Sequence, residues 1–145
     1  VIMWSKDLGR SLDSLQSRKD IDGTRIAYLG MSLGGAIGAD VLAVESRIKA
    51  AIFSSSGFYL RYDLPEVDVL NFAPHVKTPV LMLNGRYDYQ FPLDASTRPL
   101  FHFLGPPDHD KKLVVYETGH GDLPHRDEVR ETLDWLDKYL GRVRH

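Results

Sequence analysis

The sequence of 145 residues has no cysteine, no long apolar run and no marked excess of charge of either sign. Without cysteine the chain can form neither a disulfide framework nor a thiolate metal site, and it has no thiol nucleophile. No run is long enough to cross a bilayer and no signal-peptide pattern is present, so we expect a cytoplasmic protein without a membrane partner. The net charge of -2 gives no reason to expect a nucleic-acid partner.

The remaining composition is typical of one folded domain. Hydrophobic residues make up 43% of the chain and charged residues 26%, which is ordinary for a globular protein. The length suits one modest core, so we expect a single domain over residues 1–145.

Short apolar runs alternate with stretches of helical periodicity along the chain. The runs predict strands at residues 26–30, 50–54, 80–84 and 113–117. The periodic stretches predict helices at 2–17, 33–44, 93–104 and 124–140, of which the third is expected to be broken by Pro99. In the last helix we expect one apolar stripe formed by Val129, Leu133, Leu136 and Leu140. Short strands separated by helices favour an α/β protein, with a mostly parallel sheet of about four strands flanked by helices.

Glycine is concentrated around one serine in the stretch LGMSLGGA, residues 29–36. Ser32 lies between Gly30 and Gly34, after a predicted strand and before a predicted helix. A serine that attacks a carbonyl must project from a sharp strand-to-helix turn, and small residues two positions before and after it relieve the crowding. The N–H of Leu33, at the start of the helix, can point at a developing oxyanion. We therefore predict that Ser32 is a nucleophile and that Leu33 is an oxyanion donor.

A serine nucleophile needs a histidine base, and on this architecture the chain order is serine, acid, histidine. His120 directly follows the fourth predicted strand, and ligands meet a parallel sheet at the carboxyl ends of its strands. His125, in the first turn of the last helix, is the alternative. The other four histidines have no comparable position: they are His75, His102, His109 and His145.

Asp88 is the candidate acid because it occupies the loop after the third predicted strand. Asp94 is an alternative, although its position at a helix start suits a capping role. Asp63 and Asp68 lie in an irregular segment and are weaker candidates. Four aromatic residues flank strand ends near these positions and are predicted to line an acyl pocket: Phe58, Tyr59, Tyr89 and Phe91.

Three motifs together resemble the α/β-hydrolase superfamily, in particular its dienelactone hydrolase-like and prolyl oligopeptidase-like esterases and peptidases. RIAYLGMSLGG is similar to the family's nucleophile elbow, TPVLMLNGRYDYQFP to its acid-bearing strand and loop, and ETGHG to its histidine loop. The resemblance implies that Ser32 is the nucleophile, His120 the base, Asp88 the residue that orients it and the Leu33 N–H an oxyanion donor. It implies hydrolysis of a small-molecule ester with no metal or organic cofactor.

The sequence departs from the family where the sheet should begin. In the family several strands precede the nucleophile, whereas here Ser32 follows the first strand. The loop that supplies a second oxyanion N–H, often with an HGGG-type motif, is missing from the sequence. The pattern therefore predicts a truncated fold, equivalent to the C-terminal half, in which the first strand has lost a neighbour. We expect a homodimer that buries residues 2–17 and Ile26–Leu29.

Three functions are consistent with these residues. The first is a serine esterase that acts on small acyl groups. The second is a peptidase or another acyl hydrolase of the same fold. The third is a catalytically impaired fragment that acts as a binding domain.

Overall fold

Four parallel strands form one sheet in a computed structural model that describes residues 2–61 and 64–142. The strands are β1 (Ile26–Met31), β2 (Ile48–Ser54), β3 (Val80–Gly85) and β4 (Lys111–Tyr116), and their order in the sheet is their order along the chain. The helices are α1 (Ile2–Ser17), α2 (Leu33–Ala36), α3 (Gly38–Leu42), α4 (Val69–Phe72), α5 (Arg98–Phe103) and α6 (His125–Leu140). The predicted α/β class and the parallel sheet of four strands are confirmed.

Helices cover both faces of the sheet because successive strand side chains point to opposite sides. On β2, Phe53 joins a core with α1, α3 and α5, whereas Ile52 joins a second core with α6. Both β2 and β3 are buried along nearly their whole length, as the strands of a parallel sheet between two helical layers must be.

Two predicted helices differ from the structure in their interior. The helix predicted over 33–44 is interrupted at Ile37 and becomes α2 and α3. The segment 93–104 begins as one π-helical turn, Leu93–Thr97, and continues as α5. Pro99 does not break this segment, because it lies in the first turn of α5, where a backbone N–H has no partner within the helix.

The predicted apolar stripe of the last helix is confirmed at Leu136 and wrong at Val129 and Leu133. Val129 and Leu133 are exposed, and Trp135 provides the buried contact of α6 together with Leu136 and Tyr139. The aromatic side chains cover more of the sheet than the branched ones would, so the helix presents them to the core.

The edge strand β1 pairs with β2 on one side, and no described residue forms a strand on its other side. Leu29 and Met31 of β1 are exposed on the same face as Ala27, which packs against the α6 core.

Helix α1 packs against α3, with Leu12 only 1% exposed in the core on the opposite face. Leu12 of α1 is therefore used within the chain, whereas Ile2, Met3 and Trp4 at the start of the helix are exposed. The predicted dimer interface of residues 2–17 and Ile26–Leu29 stays a prediction. No described helix is long and apolar enough to cross a membrane.

Candidate functional site

Ser32 occupies a sharp turn between β1 and α2, with φ 51° and ψ -111°. A positive φ is strained for any residue with a Cβ. Two backbone hydrogen bonds hold the turn: the Ser32 N–H donates to the Ser54 carbonyl at 2.9 Å, and the Ser32 carbonyl accepts from the Ala36 N–H at 2.9 Å. The N–H of Leu33 begins α2 and has no acceptor within that helix.

Two glycines permit this turn, and they are not the predicted pair. A Cβ on Gly30 would overlap the backbone of Gly34, and a Cβ on Gly35 would overlap the side chain of Ser56. A Cβ on Gly34 would meet only the Tyr28 hydroxyl, at 3.8 Å. The prediction that Gly34 relieves crowding is therefore wrong, and Gly35 has that role.

Tyr28 stabilises the turn through a hydrogen bond. Its hydroxyl donates a hydrogen bond to the Gly34 carbonyl at 2.6 Å. Burial raises the pKa of the Tyr28 phenol, so the hydroxyl keeps its proton at neutral pH and remains a donor.

The structure brings Ser32, His120 and Asp88 into one hydrogen-bonded chain. Ser32 Oγ lies 3.0 Å from His120 Nε2, and His120 Nδ1 lies 2.8 Å from Asp88 Oδ2. The Asp88 side chain is fully buried, and its Oδ1 accepts from the N–H groups of Gln90 (2.8 Å) and Phe91 (2.9 Å). These bonds fix the carboxylate so that it can hold the imidazole with Nε2 toward the serine.

Hydrogen bonds and close backbone packing hold the loop that carries Asp88 against the loop that carries His120. The Tyr87 N–H donates to the Thr118 carbonyl at 2.9 Å, and a Cβ on Gly85 would overlap the backbone of Thr118 and Gly119. At the surface, Arg86 Nε donates to Glu117 at 2.5 Å and the Tyr87 hydroxyl donates to it at 2.8 Å. Both contacts lower the pKa of Glu117.

The alternative bases and acids lie outside this chain of hydrogen bonds. His125 is exposed at the first position of α6. Asp94 pairs with Arg98 and does not cap a helix, whereas Asp68 caps α4 by accepting from the Leu70 N–H. His75, His102 and His109 are exposed, and Asp63 and His145 lie outside the described residues.

The four predicted pocket aromatics occupy two different surroundings, which the Tyr59–Phe91 ring contact, with centroids 5.0 Å apart, connects. Phe58 and Tyr59 line a cavity of about 310 Å³ that also includes Leu33. Phe91 is fully buried, with its ring centroid 5.8 Å from His120, and Tyr89 is 77% exposed at 6.0 Å from the same ring. Phe91 and Tyr89 therefore flank the imidazole, and neither lines the cavity.

Sequence reasoning missed two polar contacts of the site. Gln90 Oε1 lies 3.4 Å from Ser32 Oγ, a longer contact than that to His120. The Ser55 hydroxyl accepts from the Gly121 N–H at 3.1 Å. The run of three serines at residues 54–56 was the available signal for the second contact.

Gly35→Ala and Gly34→Ala should have opposite effects on stability. The new Cβ at Gly35 overpacks against Ser56, which should lower the free energy of unfolding by about 1–3 kcal/mol. At Gly34 there is space, so alanine should leave that free energy unchanged or raise it by up to about 1 kcal/mol. Urea unfolding of both variants tests this, and equal destabilisation would contradict the role assigned to Gly35.

Comparison with solved structures places this architecture among α/β hydrolases. A cold-adapted esterase from an Arctic intertidal metagenomic library aligns with 94% of this chain at 27% identity and a TM-score of 0.75. The α/β hydrolase GrgF from Penicillium sp. sh18 aligns with 95% at 14% identity and a TM-score of 0.78. The Pyrococcus furiosus esterase Pf2001 aligns with 93% at 17% identity and a TM-score of 0.78. No protein-family model and no curated protein matches the sequence.

The alignments cover much less of the neighbours than of this chain. The matched region is 57% of the cold-adapted esterase, 72% of GrgF and 61% of Pf2001. The predicted resemblance and the truncation are both confirmed: the chain has the α/β-hydrolase fold and spans a little more than half of the length of the esterase that it matches at 27% identity.

Proposed function

We propose that this chain is a serine hydrolase that cleaves carboxylic esters of small acyl groups through an acyl-enzyme. The observation that carries the proposal is the hydrogen-bonded chain from Ser32 Oγ through His120 to the buried Asp88. The strained turn that presents the serine supports it, because such strain persists mainly where function needs it. Esterases and other hydrolases among the structural neighbours support the general class.

In the first half of the reaction, Ser32 Oγ attacks the ester carbonyl carbon while His120 Nε2 accepts the hydroxyl proton. Asp88 holds Nδ1–H and stabilises the imidazolium that forms. The carbonyl oxygen becomes an oxyanion and accepts a hydrogen bond from the Leu33 N–H. The tetrahedral intermediate then expels the alcohol, which takes the proton from His120, and the acyl group remains on Ser32.

In the second half, water attacks the acyl group and transfers a proton to His120. The second tetrahedral intermediate collapses with release of the carboxylic acid, and His120 returns the proton to Ser32 Oγ. Each proton taken by the imidazole is returned within the same half-reaction, so the base is regenerated without a cofactor.

The cavity beside Leu33 supports a small acyl group as substrate. Its volume of about 310 Å³ lies at the lower end of the range of small-molecule sites. Phe58 and Tyr59 contribute to its apolar wall. The charged residues that also line it are Asp40, Arg61 and Asp68. Ser32 is not among the lining residues, but Leu33, the next residue in the chain, is. We assign the acyl portion of the ester to this cavity and assign Tyr89 and Phe91 to the support of His120.

We also propose that two copies of the chain associate through the free edge of β1 and the start of α1. An open strand edge with exposed apolar side chains favours association, and a two-fold pair is the commonest closed form. Leu29 is 62% exposed and Met31 is 53% exposed at this edge. Ile2, Met3 and Trp4 are also exposed, so the proposed interface combines the start of α1 with β1.

Ser32→Ala should lower kcat/KM for p-nitrophenyl acetate by roughly 10⁴- to 10⁶-fold, because it removes the nucleophile and leaves only binding and oxyanion contributions. Asp88→Asn should lower it by about 10⁴-fold, because the imidazole is then held in the wrong tautomer. Steady-state kinetics measure both effects. Ser46→Ala is the control, since Ser46 is exposed and precedes the amino end of β2, whereas the three residues of the site follow the carboxyl ends of their strands.

The same assay separates the three functions. Cleavage of short p-nitrophenyl esters in preference to aminoacyl amides supports the esterase, and the reverse preference would assign a peptidase. Full activity of Ser32→Ala would contradict the proposed mechanism. No Ser32-dependent cleavage of either class would favour a binding domain.

The unmodified chain should have the mass of a dimer in light scattering at micromolar concentration. Leu29→Asp should convert it to a monomer, because it places a charged carboxylate in the proposed apolar interface of each copy. Leu133→Asp, on the exposed face of α6, is the matched control and should remain dimeric. A monomeric unmodified chain would reject the proposed association.

A further inference from the structure

The second strained residue of the chain lies at the end of β2, next to the proposed site. Ser55 has φ 45°, and in the described ranges Ser32 and Ser55 are the two non-glycine residues with positive φ. Ser55 is fully buried, and its N–H donates to the Leu83 carbonyl at 2.7 Å. Such a backbone conformation costs free energy in any residue with a Cβ, and it is concentrated at functional sites.

The strained backbone directs the Ser55 hydroxyl to the histidine loop. Ser55 Oγ accepts a hydrogen bond from the N–H of Gly121, the residue directly after His120, at 3.1 Å. Gly121 itself has φ 76°, a conformation that favours glycine. The end of β2 thus contacts the loop that follows β4, although β3 lies between these two strands in the sheet.

A second hydrogen bond holds the histidine loop on the N-terminal side of His120. The Thr118 carbonyl accepts from the Tyr87 N–H at 2.9 Å, from the loop that follows β3. His120 therefore lies between one fixed point at Thr118 and another at Gly121. Its Nε2 must stay within hydrogen-bond reach of Ser32 Oγ, and a displacement of about 1 Å in such a site can cost a hundredfold in rate.

We propose that Ser55 is a positioning residue for His120: its hydroxyl, held in place by the strained backbone, fixes Gly121 and thereby the imidazole against Ser32. This inference rests on the proposed function. Ser55 touches neither the substrate cavity nor the reacting atoms, so its effect falls on the rate of proton transfer. The predicted consequence is a change in kcat with little change in KM for a small ester.

The two neighbouring serines provide matched comparisons. The Ser54 hydroxyl donates to Glu128 Oε1 at 2.6 Å, so it contacts the first turn of α6. The Ser56 hydroxyl is buried and makes no hydrogen bond to any residue in the described part of the chain. Of these three consecutive buried serines, Ser55 is the one whose hydroxyl contacts the backbone next to the base.

The test compares Ser55→Gly, Ser55→Ala and Ser56→Ala with the unmodified full chain on p-nitrophenyl acetate. Glycine and alanine both remove the hydroxyl, but glycine also relieves the positive φ. Both Ser55 variants should lose roughly ten- to a hundredfold in kcat with KM nearly unchanged. Ser55→Gly should melt at a temperature equal to or above that of Ser55→Ala, because glycine adopts the positive φ without strain. Assays well below both melting temperatures keep the variants folded, so a loss of kcat then does not come from unfolding. Ser56→Ala should keep the kcat of the unmodified chain.

Each other outcome rejects a stated claim. If Ser55→Gly keeps kcat within about twofold while Ser32→Ala is inactive, the positioning role is wrong and the proposed function stands. If Ser56→Ala loses as much kcat as Ser55→Gly, the loss comes from altered packing of residues 54–56, and the positioning role is wrong. If Ser32→Ala is fully active, the proposed function itself is wrong.

Discussion

The close approach of β1 to α2 at Ser32 is the constraint on which the site depends. The chain must reverse within one residue, so Ser32 adopts a positive φ and the backbones around Gly30, Gly34 and Gly35 come into contact. The backbone bonds of Ser32 to Ser54 and Ala36 stabilise this turn. The result is a half-buried hydroxyl beside a helix N-terminus, at the sheet edge where β3 and β4 also end.

Much of the fold and the whole Ser32, His120 and Asp88 arrangement could be predicted because each depends on local order along the chain. Short apolar strands alternate with helices, and parallel strands deliver the loops after them to one edge. Chain order then restricts the acid to a position before His120. This reasoning needs no knowledge of side-chain packing, and the three residues do lie within hydrogen-bond distance.

The features that depend on packing could not be predicted in this way. Gly35 is needed because Ser56 of a neighbouring strand end lies against it, and Phe91 is buried behind His120 where a pocket wall was expected. Trp135 covers the sheet in place of Val129 and Leu133. In each case the deciding neighbour is distant in sequence, and local patterns do not reveal it.

The central claim is that Ser32 is the activated nucleophile, and covalent labelling with a fluorophosphonate tests it most directly. The probe reacts with a serine hydroxyl that a base activates, and peptide mass spectrometry locates the adduct. The account predicts one adduct on the peptide that contains Ser32 and no adduct in Ser32→Ala. Labelling of Ser54, Ser55 or Ser56, or no labelling at all, would contradict it.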